Sequence, residues 1–223
     1  MDMIGKDSII PIMAKKDDGK QSVSEKVKRR IYRRGRGSVF TADDFLDLDS
    51  RASIDLILAR LSARGTILRI ARGLYSYPIV DSQIGVLSPS VEAIAAALAG
   101  EGRLRLQPSG AYAANLLGLS EQVPMKIIFL TDGPSRHIVV GNREIILKRT
   151  TPRNMATAGT LAGLVIQALR YLGEKSVNDT LQARLRKAVP SEKRGELLKN
   201  SLSAPAWIRD LLYTTFSQKE DSE

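Results

Sequence analysis

The chain contains one histidine, His137, and no cysteine. Thiol nucleophiles, disulfides, zinc fingers and multi-histidine metal sites therefore lack their residues. A hydrolase would need His137 paired with a nucleophile and an orienting acid, and its strand-like surroundings beside Arg136 read as structural instead. Asp132 and Glu144 could act across a hairpin as the carboxylates of a metal-dependent nuclease. Such sites usually place a lysine two residues after the second acid, where this chain has Ile146, with Lys148 two further on. Gly133-Pro134-Ser135 lacks the Gly-Lys-Ser/Thr ending of a phosphate loop and reads as a turn, and Ser109-Gly110 reads as a helix start with Ser109 as N-cap. No catalytic residue, metal or cofactor is expected, and the chain is not expected to be an enzyme.

What remains is binding. Lys and Arg number 34 against 24 Asp and Glu, a formal charge of +10, so polyanions or acidic protein surfaces are the expected partners. The 223 residues allow one domain or two small ones, and 43% apolar residues suffice to bury real cores. No apolar run approaches the roughly 20 residues of a membrane helix. A cytoplasmic protein without membrane contact is expected.

The elements that must position the charges follow from period and punctuation. Residues 1–22 mix Lys, Asp, Gly and Ser and read as a flexible leader. From Ser24, Val27 and Ile31 share a helical face amid a basic run from Lys26 to Arg36. Thr41, with Asp44 three residues on, starts a second short helix through Phe45 and Leu46. A third follows Ser50, with Ile54, Ile57, Leu58 and Leu61 on one face, and ends at Gly65. Thr66 to Ile70 and Leu74 to Tyr77 then make a hairpin about Gly73. Three helices and a hairpin spell a winged helix-turn-helix over 23–78. Pro, Gly, Ser and Asp over 79–89 read as a linker. A mixed, helix-rich α/β domain follows over 90–223, with a strand at 126–131, a hairpin at 137–147 and helices at 161–172, 179–188, 193–201 and 206–216. The expected fold class is α+β.

In a helix-turn-helix the second helix of the motif enters the major groove and its N-terminal residues reach base edges. Ser50, Arg51 and Ser53 occupy those positions, with Thr41 at the preceding cap. Lys28, Arg33, Arg60 and Arg64 on the helices can reach phosphates, and Arg69 and Arg72 on the wing suit the backbone or minor groove. Asp43, Asp44, Asp47, Asp49 and Asp55 would repel phosphate, so contacts must avoid the second helix.

The order of motifs resembles the AbiEi antitoxin family of type IV toxin-antitoxin systems. The matching segments are VFTADDF at 39–45, LSARGTILRIARGLYSYP at 61–78, RLQPSGAYAANLLGL at 105–119 and VPMKIIFLTDGPSRHI at 123–138. The resemblance implies a cytoplasmic repressor whose winged helix binds double-stranded operator DNA in its own operon. It also implies a C-terminal domain that neutralises a nucleotidyltransferase-like AbiEii toxin, leaving open whether the two touch. Inverted half-sites would imply a homodimer on the operator. Ser109, Asn115, Asp132, Arg136 and Arg149 are candidate partner contacts in that domain, chosen by exposure and charge. The alternative is a stand-alone winged-helix transcription regulator whose second domain senses a ligand or dimerises.

Overall fold

The computed structural model describes residues 21–100 and 103–217. The expected leader falls, apart from Gln21 and Ser22, outside the described residues. α1 (Val23–Arg34) is capped by Ser22, whose hydroxyl accepts from the Glu25 amide, and buries Val27 and Ile31. β1 (Val39–Phe40) leads to the second short helix, a 3-10 turn at Ala42–Phe45. The Asp44 carboxylate accepts from the Thr41 amide at 2.7 Å, so the expected box closes with Asp, but it opens only one tight turn. α2 (Arg51–Ala63) buries Ile54, Ile57, Leu58 and Leu61. β2 (Leu68–Ala71) and β3 (Leu74–Ser76) form the wing, and Gly73 sits between them at φ 72°, where a side chain would be strained. The sheet order β1-β3-β2, all antiparallel, completes a winged helix. Its core is Val27, Ile31, Phe40, Phe45, Leu58 and Ile67, with the Phe40 and Phe45 rings edge-on at 5.6 Å.

The segment expected as a linker is instead a hairpin, β4 (Ile79–Asp81) and β5 (Gly85–Leu87), paired through Val80 and Val86. α3 (Val91–Ala99) follows, then β6 (Leu106–Ser109) and α4 (Gly110–Leu116). β7 (Lys126–Thr131), β8 (Arg136–Val140) and β9 (Arg143–Arg149) make a mixed sheet in the order β6-β7-β9-β8. β7 and β9 are parallel, in register from Lys126 opposite Glu144 to Thr131 opposite Arg149. Pro108 is tolerated because β6 is an edge strand. α5 (Pro152–Met155), α6 (Leu161–Leu172), α7 (Asp179–Ala188), α8 (Ser191–Asn200) and α9 (Ala206–Ser217) finish the chain as a helical layer. The class is α+β, as its patterning predicts. No described helix is long and apolar enough to cross a membrane.

One core joins the two halves. Val39 and Leu74 of the winged helix pack with Ile94 and Leu98 of α3 and with Ile127, Phe129, Ile145 and Leu147 of the mixed sheet. A cut between residues 78 and 79 would therefore strip apolar surface from both sides. β2 packs against β8, which brings the wing to the second sheet.

Candidate nucleic-acid interface

α2 meets solvent through Arg51, Ala52, Asp55, Leu56, Ala59, Arg60, Ala63 and Arg64. Its two ends differ in charge. At the start, Arg51 donates to Asp43 at 2.5 Å and to Asp55 at 3.1 Å, and Asp43 also receives Arg103 at 3.0 Å. Ser50 caps the helix by accepting from the Ser53 amide, and the Ser53 hydroxyl donates to Asp49 at 2.8 Å. That hydroxyl and the Ser50 amide hold the Asp49 carboxyl below its ordinary range. Ser50, Arg51 and Ser53, expected to read bases, are thus engaged within an acidic collar of Asp43, Asp49 and Asp55.

The cations without such partners lie elsewhere. Arg60 and Arg64, one turn apart at the far end of α2, and Arg69 and Arg72 on the wing are exposed. None of the four side chains makes a hydrogen bond or ion pair among the described residues. Arg72 and Gly73 at the wing tip share a cleft of about 500 Å³ with Thr41, Leu98, Arg136 and His137. Among the described residues no carboxylate lines that cleft. Two arginines lining one cleft concentrate positive potential where a phosphate backbone could enter. Arg136, chosen from sequence as a partner contact, stands with the residues chosen for DNA.

Two arginines of the basic run on α1 are engaged. Arg30 grips Asp47 through two bonds of 2.6 and 2.7 Å and keeps that carboxyl below its ordinary range. Arg34 binds Asp44 at 3.1 Å, and both guanidinium groups lie 5.8 Å from the Phe45 ring. Lys28 is half-buried, and Arg33 lines a depression with Asp43, Asp44 and Asp47. Neither joins the wing cleft.

The remaining candidates are scattered. Asp132 is bound by the Arg105 side chain at 2.8 Å and its amide at 3.0 Å, which hold its carboxyl below the usual range. Ser109 stands at the N-cap of α4 without capping it, and its hydroxyl donates to Gln167 instead. Asn115 donates to the Ser120 carbonyl at 3.3 Å. Arg149 is exposed at the end of β9. The two nuclease-like acids come apart: Glu144 pairs with the first residue of β7 and Asp132 follows its last, about 20 Å away at strand spacing. Glu144 instead lies 2.9 Å from His137 Nε2 and 3.6 Å from Lys126 Nζ. Among the described residues no group of three His, Cys, Asp or Glu could hold a metal ion. Gly133 is buried in its turn, where an added Cβ would collide with Leu104.

Compared with known proteins, residues 26–197 match the family model DUF6088, described as a family of unknown function. No curated protein matches the chain.

Proposed function

The chain belongs to the DUF6088 family, and we propose that it is a winged-helix DNA-binding repressor whose second unit extends the contact made by the wing. The cleft that holds Arg72 and Arg136, with no carboxylate among its described lining residues, carries this reading. Duplex DNA meets the far end of α2 through Arg60 and Arg64, the wing through Arg69 and Arg72, and β8 through Arg136. The collar at Asp43, Asp49 and Asp55 keeps phosphate from the start of α2, so backbone contacts outnumber base contacts. Affinity then falls steeply with salt as condensed counterions are released.

The order of motifs supports a second task, neutralisation of a nucleotidyltransferase-like toxin by the unit after residue 90. The two halves share a core, so the tasks are best separated by point substitution in the full chain. The test is fluorescence anisotropy with a duplex from the promoter of its own operon, followed by growth during co-expression with the adjacent toxin. Arg60→Ala, Arg64→Ala, Arg72→Ala and Arg136→Ala combined should abolish DNA binding at moderate salt and leave growth rescue intact. Unchanged DNA binding rejects the interface, and a toxin that no full-length variant or wild-type chain counteracts rejects the second task.

A further inference from the structure

A cavity of about 680 Å³ opens between the winged helix and the second unit, within the size range of small-molecule sites. Its apolar walls are Ile79 and Leu87 of the hairpin, Leu116, Val123, Pro124 and Ile127. The pleat explains the hairpin's part: Ile79 and Leu87 are cross-strand partners on the cavity side, while the Val80–Val86 pair points the other way. Leu116 and Val123 remain 45% and 76% exposed, apolar surface that an occupant would cover.

Two guanidinium groups share this space, Arg36 and Arg143. Arg36 is braced by a 3.0 Å bond to the Pro78 carbonyl and by the Tyr77 ring 4.9 Å away, which fixes the group and leaves other N–H donors over. The Arg143 side chain makes no hydrogen bond among the described residues, and its charge acts on Glu92 across the cavity lining. Glu92 is the one carboxylate among the described residues that line the cavity, and it accepts from the Tyr112 hydroxyl. Against two arginines and one glutamate, the lining carries a single surplus positive charge. A ligand with one negative group balances it, while a neutral occupant would displace water and leave a cation uncompensated.

We propose that this cavity binds a small organic monoanion with an apolar body, its anionic head on Arg36 and Arg143 and its body against Leu116 and Val123. The site stands whether or not the wing cleft binds DNA.

The probe is 1-anilinonaphthalene-8-sulfonate, titrated into the full chain and followed by fluorescence, with uncharged N-phenyl-1-naphthylamine as its comparison. The sulfonate should saturate at one per chain and bind at least about tenfold more tightly than the neutral compound. Arg143→Gln should weaken the sulfonate by about tenfold and leave the neutral compound unchanged. Val123→Trp, at a site exposed enough to spare the fold, should occlude the cavity and abolish both. Equal binding of the two compounds, or sulfonate binding unaffected by Arg143→Gln and Val123→Trp, overturns the proposal.

Discussion

Arg51, the first residue of α2, lies 2.5 Å from Asp43, and Asp43 sits in the turn that precedes the helix. The residue expected to read a base has its charge already matched within the chain. Loosening that match should help DNA binding: Asp43→Asn frees Arg103, leaves Arg51 with Asp55 as its one carboxylate partner among the described residues, and deletes one charge repelled by phosphate. Affinity for duplex DNA should rise roughly fivefold at low salt, with a steeper salt dependence, as anisotropy titrations will record. Weaker binding would show that the collar positions Arg51 for contact.

Arg72 and Arg136 should act alike although one is on the wing and the other on β8. Each alanine substitution should lower affinity for specific and random duplexes equally and reduce the log–log salt slope by about one. A loss confined to Arg72 would limit the interface to the winged helix.

Tyr112 is buried, and its hydroxyl donates to Glu92. That bond keeps the Glu92 carboxyl below its ordinary 4.5, while burial, and then the carboxylate, push the phenol up. A carboxyl depressed in the folded state stabilises above its unfolded pKa and loses that contribution as pH falls through the folded one. Tyr112→Phe should therefore cost about 1 kcal/mol or less at pH 7, because Glu92 is exposed and its charge screened, with the difference from wild type shrinking below pH 4.5. Denaturant titrations across pH will show it, and a constant difference would exclude the Glu92 bond as its source.

Leu74, on the wing strand and 1% exposed, packs into the core of the second unit. Leu74→Ala should cost about 2–5 kcal/mol and lower one shared melting transition rather than splitting it in two. Protease should nick the exposed hairpin tip at Ser82–Ile84 under native conditions, and the fragments should stay associated on a sizing column.

Where local signals decide structure, the chain is readable. α6 runs from Leu161 to Leu172 as expected, because an apolar period is bounded by Thr160, whose hydroxyl accepts from the Gly163 amide, and by Gly173. The hairpin at 79–87 was hidden because Pro78, Gly85 and Pro89 read as linker punctuation, and three-residue strands carry too little alternation. The parallel pairing of β7 with β9 has no local signature, since partner choice is a tertiary matter. Of the candidate site the sequence shows residue types but not their geometry: nothing near Arg51 in the chain announces its bond to Asp43, and nothing near Arg136 announces the wing.

If one DNA surface spans the wing tip and β8, as proposed, β8 itself must lie against the duplex, and crosslinking from β8 shows whether it does. A photoreactive p-benzoylphenylalanine placed at Arg136 in the full chain should crosslink to promoter duplex on irradiation, in a yield that falls as salt is raised. The same group at Tyr213, exposed on α9, should give none. Crosslinking from position 213, or no crosslinking from position 136 under conditions where anisotropy shows the duplex bound, would contradict the account.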